Sequence, residues 1–310
     1  MTVPPATYTL AIVGDIHDQW SAEDAQALLA IGVDLVLFVG DFGNESLATV
    51  RQVAQLPLPK AIAFGNHDAW YTATPWGRRR CPYRRPQEDW FKEQWEILSP
   101  YHLCYRSLNF ETLGLSVVGG RPFSWGGPNW NLQAFYQEWF GVASAAESRD
   151  RILASLQAAT HNPVIIVSHN GPYGLGDQPE DPCGKDWNPI GGDYGDQDLA
   201  EAIAAGRDLG KQVSLVAFGH MHHRLRHTQA RIRRRLHQDD HGTLYLNAAC
   251  VPRRITHSGK NYHQFSTVTL CGSEIRAIDA LWVSATGEIH SQEPLFRASK
   301  PLRVPARGPQ

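Results

Sequence analysis

Short apolar runs of strand length recur along this chain, and each ends abruptly in glycine or a polar turn residue. Residues 8–13 form the first, closing on Gly14-Asp15. Residues 34–39, continuously apolar after Asp34, form the second and close on Gly40-Asp41. Residues 60–64 form the third and close on Gly65-Asn66-His67-Asp68. Apolar residues at consecutive rather than alternating positions belong to strands covered on both faces. Between the runs, Ser21 starts a helix to about residue 31, with Asp24 in the capping-box position. A second helix spans about 45–55 and is stopped by Pro57 and Pro59. Strands and helices alternating at this spacing predict βαβ units on a parallel sheet. Ligands collect beyond the carboxyl ends of such strands, which is where Asp15, Asp41 and Asn66 fall.

Residues 69–100 interrupt the pattern with Trp, Tyr, Pro and Arg, and read as an insertion: a loop, then a helix over about 87–98. Short strands are expected at 101–105 and 113–118, followed by a turn-rich loop at 119–131. A helix near 146–160 leads to a strand at 163–167 that ends in Ser168-His169-Asn170. Residues 171–195 are a long Gly- and Pro-rich loop, a length that in a compact domain marks function or disorder. A helix near 197–206 precedes a strand at 213–218 that ends in Gly219-His220-Met221-His222. After a basic stretch at 223–237, runs at 243–248, 265–270 and 275–283 read as antiparallel strands. The expectation is one domain over 1–293 and a disordered tail over 294–310, which holds four prolines and four basic residues.

Composition narrows the class. The 310 residues are 42% hydrophobic and 19% charged, with a net charge of −2. This is an ordinary soluble balance, with no global attraction to nucleic acid or membrane. No apolar run is long enough to span a bilayer, and the first residues lack a secretory pattern. The five cysteines are odd in number, scattered and never spaced CxxC. That disfavours a disulfide framework and a thiolate zinc site, and makes a reducing, cytoplasmic location the expectation.

The chemistry lies in the polar ends of five runs: Asp15-Ile16-His17, Gly40-Asp41, Gly65-Asn66-His67-Asp68, His169, and Gly219-His220-Met221-His222. Two carboxylates, an amide oxygen and four imidazoles make a nitrogen/oxygen donor set suited to Mn, Fe, Zn or Co rather than Ca or Mg. Seven ligands are too many for one first-row ion but right for two if a carboxylate bridges, and Asp41 is the natural bridge. Two ions about 3.5–4 Å apart can clamp an in-line displacement, and a hydroxide between them would be a nucleophile at neutral pH. His67 could be a ligand or an acid, with Asp68 placed to orient it.

This series, in this order, resembles the calcineurin-like metallophosphoesterases. The resemblance implies a four-layer α/β/β/α sandwich of two mixed sheets flanked by helices, with a dinuclear site at the strand C-terminal ends. It implies one metal held by Asp15, His17, Asp41 and His222, and a second by Asp41, Asn66, His169 and His220. His67 would contact the phosphoryl group and protonate the leaving oxygen, with Asp68 tuning it and Asn66 also near substrate. The family often has Gly-Asp-x-x-Asp where this chain has Gly40-Asp41-Phe42-Gly43-Asn44, so the supporting carboxylate is an amide here. Asp-Arg-Gly after that motif and Arg beside Asn-His, usual in protein Ser/Thr phosphatases, are absent.

The expectation is a metal-dependent hydrolase of a small-molecule phosphomonoester or phosphodiester, acting by attack of a metal-bridging hydroxide. A nuclease, disfavoured by the near-neutral charge, and a metal-bound interaction scaffold are the alternatives. The remaining histidines read as surface or core residues, His223 being nearest the ligand pair. The arginines at 78–85 and 224–235 read by default as solvated charge. Yet both groups flank ligand-bearing loops, so at least one of them, or Arg121, is a candidate to bind substrate beyond the scissile phosphate. Trp70, Trp76, Trp125, Trp130 and Trp187 read as core by default and as stacking faces otherwise.

Overall fold

A computed structural model describes residues 6–299. In chain order the elements are β1 (Thr7–Val13), α1 (Ala22–Ala30), β2 (Leu35–Phe38), α2 (Leu47–Ala54) and β3 (Lys60–Ile62), then α3 (Pro75–Arg79) and α4 (Trp90–Ile97). Next come β4 (Ser107–Phe110), β5 (Leu115–Gly119), α5 (Gln133–Phe140), α6 (Ala145–Ala158), β6 (Val164–Val167), α7 (Gln197–Asp208) and β7 (Val213–Phe218). The chain closes with β8 (Leu236–Gln238), β9 (Leu244–Asn247), β10 (Arg254–His257), β11 (Lys260–Cys271), β12 (Glu274–Val283) and β13 (Ile289–Arg297).

The strands form two mixed sheets. One runs β13-β12-β11-β1-β2-β3, with β10 also paired to β11, and the other runs β4-β5-β6-β7-β9-β8. The alternation of side chains along a strand divides the apolar residues between two cores. Leu10, Ile12, Leu35 and Leu37 of the first sheet meet Val117, Ile165, Val167 and Leu215 of the second between the sheets. Their neighbours Ala11, Val13, Val36 and Phe38 face the outer layer with Ala27, Leu28, Val50 and Val53 of the first two helices. On the far side, Ile166 and Val216 pack under Ile152, Leu156, Leu199 and Ile203 of α6 and α7. The result is the expected four-layer α/β/β/α sandwich. Each fully buried Leu or Ile contributes on the order of 2 kcal/mol, so the strand ends carrying the site stand on a rigid base.

Several expectations need correcting. Residues 243–248 enter the second sheet as β9, parallel to β7 and antiparallel only to β8. Residues 101–105 form no strand beyond a single bridge between Ile62 and His102. The tail begins later than 294, because β13 pairs with β12 through Arg297. Pro294 is tolerated there because β13 is the sheet edge, where one row of N–H groups needs no partner. Residues 300–310 of the expected tail lie outside the described residues. Helix α5 was not foreseen.

Candidate metal centre

The seven side chains named from sequence come together where the carboxyl ends of β1, β2, β3, β6 and β7 converge. The backbone is bent sharply to aim them. Asp15, His17, Asp41 and His220 all have positive φ, at 46°, 44°, 56° and 66°. Left-handed backbone is costly for these residue types and gathers at functional sites. The strand-end glycines make room: a Cβ at Gly65 would lie 2.2 Å from Asp41 Oδ1, and one at Gly219 2.1 Å from Asp15 Oδ2. Backbone amides fix both carboxylates. His220 N–H donates to Asp15 at 3.1 Å, and His67 N–H donates to Asp41 Oδ1 at 2.9 Å.

The donor atoms fall into two groups that share Asp41. In the first, His222 Nε2 is 3.4 Å from Asp15 Oδ1, and His17 Nε2 is 3.2 Å from His222 Nε2 and 3.7 Å from Asp41 Oδ2. In the second, His169 Nε2 is 3.4 Å from the other oxygen, Asp41 Oδ1, and 2.9 Å from Asn66 Oδ1. His220 Nδ1 lies 2.9 Å from that amide oxygen and 3.2 Å from His169 Nε2. His169 Nδ1–H donates to the Val39 carbonyl at 2.8 Å, so in the neutral ring Nε2 is a lone pair. With both imidazoles neutral, the second group has two acceptors and at most one proton among three converging atoms. A cation satisfies all three at once, so the residues present fit a pair of metal ions.

The model of the calcineurin-like phosphoesterases matches residues 8–224, more than half of the sequence. The chain belongs to that family. One solved structure superposes with a TM-score of 0.51 at 10% identity, over 89% of this chain and 99% of that chain. The protein TT1561 of Thermus thermophilus overlaps with a TM-score of 0.46 at 11% identity, over 94% and 100% of the two chains. Purple acid phosphatase PPD1 of yellow lupin does so at 0.43 and 12%, over 93% and 53%. At such identities the likeness is one of fold. No curated protein matches the sequence.

Electrostatics at these residues favour the ligand forms of Asp15 and His220 and oppose that of His222. Burial pushes the Asp15 carboxyl up, but the hydrogen bond from His222 and the charges of His222, His169 and His17 outweigh it and hold it ionised. Burial, then the neighbouring His169, pushes the His220 imidazole down to about 3, which keeps it neutral. Burial opposes protonation of His222 too, yet its bond to Asp15 leaves it above the ordinary value.

His67 is the second residue of a short 3-10 turn, Asn66–Ala69, and faces the same space, but Asp68 does not tune it as expected. Asp68 is fully buried, and its two oxygens accept the backbone N–H groups of Gly65 (2.7 Å), Asp41 (2.9 Å) and Phe42 (2.8 Å). It clamps two ligand-bearing loops together. The partner of His67 is Asn44, whose Oδ1 accepts from Nδ1 at 2.5 Å, and the His67 ring stacks on Trp70 at 4.4 Å. Arg121 is also corrected. It is buried, paired with Asp196 and Asp198, and lies over Trp130, so its guanidinium is not presented to substrate.

A cleft of about 320 Å³ opens over the centre, lined by Asp41, Asn66, His67, His220 and His222. Trp70 and Trp125, stacked on each other at 5.5 Å, line it as well. Trp187 and Asp186 come from the 171–195 loop and line another part, with Arg224, Arg226 and Arg233. Arg233 is a strut: it is 1% exposed and donates to the carbonyls of Pro179, Asp181, Gly184 and His222. Glu45, missed in the sequence, anchors the insertion by accepting from Tyr71 N–H at 2.8 Å and Tyr83 O–H at 2.6 Å.

Proposed function

We propose that this chain hydrolyses phosphoester bonds in the cleft, with Asp15, His17, Asp41 and His222 holding one metal ion and Asp41, Asn66, His169 and His220 the other. The division of the two Asp41 oxygens between the groups, one 3.7 Å from His17 and the other 3.4 Å from His169, carries the reading. The donor set suits Mn, Fe or Zn. When bound, such ions supply a water nucleophile at neutral pH and screen the phosphoryl charge. Asn66 and His67 adjoin the place the phosphoryl group would take. For this role His67 must be an imidazolium, with Nδ1–H donating to Asn44, Nε2–H facing the leaving oxygen and Trp70 holding the ring plane; burial pulls its pKa below the ordinary value, which confines the acid form to the lower pH range. His67 thus donates the proton to the departing alkoxide or phenoxide, and Asn44 holds it in register.

The test is metal content by elemental analysis, paired with turnover of p-nitrophenyl phosphate and its bis-ester. Asp41→Asn should lose metal and turnover together, whereas His67→Ala should keep metal and lose turnover. The loss in His67→Ala should grow as the leaving group becomes more basic. Full activity of His67→Ala on an alkyl phosphate would sink the acid role, and failure of the protein to take up any metal would sink the whole reading.

A further inference from the structure

The segment that delivers His220 and His222 does not stop there. Burial alternates along it: Met221, His223 and Leu225 are buried, His222 is half-buried, and Arg224 and Arg226 are exposed. All four of His220, His222, Arg224 and Arg226 line the same cleft. Alternate side chains of this segment therefore share the cleft wall, and two cations follow two ligands along it. Extended chain rises about 3.3 Å per residue. Their Cα atoms therefore lie at most about 7 and 13 Å beyond that of His222.

These two arginines differ from their neighbours. Arg231, Arg233, Arg234 and Arg235 pair with Glu180, Asp186, Asp181 and Glu293. Neither Arg224 nor Arg226 has a carboxylate partner among the described residues. Asp186, the acid of that wall, lies 3.4 Å from Arg233 and accepts the Arg226 backbone N–H at 2.9 Å. The Arg226 guanidinium lies 5.3 Å over the ring of Trp187, itself a cleft residue. That leaves two guanidinium groups without an anion on the cleft wall, one of them over an indole.

We propose that Arg224 and Arg226 form a second anion subsite, and that the substrate is a phosphoester with a further phosphate on a planar body that rests against Trp187, as in a nucleoside bisphosphate. The subsite rests on the phosphoesterase reading above. Guanidinium groups suit a terminal phosphate because they donate in pairs.

The initial quench of tryptophan fluorescence, read before turnover, would measure binding of adenosine 3′,5′-bisphosphate and adenosine 5′-monophosphate to metal-loaded protein. Wild type should bind the bisphosphate about tenfold to a hundredfold more tightly, from one to two charge-assisted hydrogen bonds. R224Q/R226Q should erase that preference, while R231Q, altering the arginine already paired with Glu180, should keep it. On turnover, the double variant should lose at least about tenfold more on the bisphosphate than on p-nitrophenyl phosphate. Equal binding of the two nucleotides by wild type, or a preference that survives the double substitution, would overturn the subsite. Absence of turnover on every phosphoester would overturn the hydrolase instead, while the binding preference still decides the subsite.

Discussion

Replacing Asp68 separates a loop clamp from a partner of the proton donor. In Asp68→Asn, the side-chain oxygen can replace the carboxylate oxygen that accepts from Gly65 and Asp41, at 2.7 and 2.9 Å. The new NH₂ then meets the Phe42 N–H, formerly bonded at 2.8 Å, and both are left unsatisfied in a fully buried place. One charge-assisted bond is lost, about 1.5–3 kcal/mol. This is partly offset because burial, and then the neighbouring Asp41 charge, hold the Asp68 carboxyl well above the ordinary range. A net loss of about 2 kcal/mol is expected for the amide. Asp68→Ala orphans all three amides and should cost about 3–6 kcal/mol, a large part of a stability of roughly 5–15 kcal/mol. Denaturant midpoints, with metal content at fixed free metal, read the effect. Stability and metal affinity should fall in step with activity, because the amides that Asp68 binds hold Gly65 and Asp41 in place. An Asp68→Asn protein with unchanged midpoint and full metal content but lost turnover would refute the clamp and restore the His67–Asp68 pairing.

Three further outcomes are expected. Asp24, paired with Arg253 and His263 under α1, is held down to about 2, burial opposing and the arginine leading the favourable partners. A depressed carboxylate stabilises the fold above its unfolded value near 3.8, and that contribution, about 2 kcal/mol, is lost as pH falls through 2; the stability gap between wild type and Asp24→Asn should therefore close between about pH 4 and 2. Arg121→Met leaves Asp196 and Asp198 as buried unpaired charges and should destabilise by about 3–5 kcal/mol, read in a thermal melt, with KM for p-nitrophenyl phosphate unmoved. Stripping metal with a chelator should lower the melting temperature, and returning Mn or Zn should restore it in a concentration-dependent way.

The convergence of the candidate residues was legible because each is local: an apolar run, a glycine or serine, then a polar side chain at the strand tip. Five such ends point to Asp15, Asp41, Asn66, His169 and His220 without any knowledge of the fold. The roles of Asp68 and Arg121 were not legible, because their partners are distant. Two of the three amides on Asp68 come from 26 and 27 residues away, and Asp196 lies 75 residues beyond Arg121. Strand direction at β9 was lost for the same reason, since its pairing with β7 is set by tertiary contacts and not by its own sequence. Strand β13 was hidden because most of it is exposed on both faces, which removes the period-two signal. Helix α5 is preceded by Leu132 in left-handed backbone, without a side-chain cap. Its only cue was the spacing of Phe135, Tyr136, Trp139 and Phe140.

Arg233 changes how the long 171–195 loop should behave. Freezing backbone costs about 1–2 kcal/mol per residue in conformational entropy, and a recognition loop that orders only on binding takes that cost out of its affinity. Here one guanidinium bonds to the carbonyls of Pro179, Asp181 and Gly184, and to that of His222. Trp187 and Asp186 are thereby held to the segment that carries His220 and His222 before any substrate arrives. The loop is preorganised: its ordering cost is met during folding, so a small ligand can be held by few contacts.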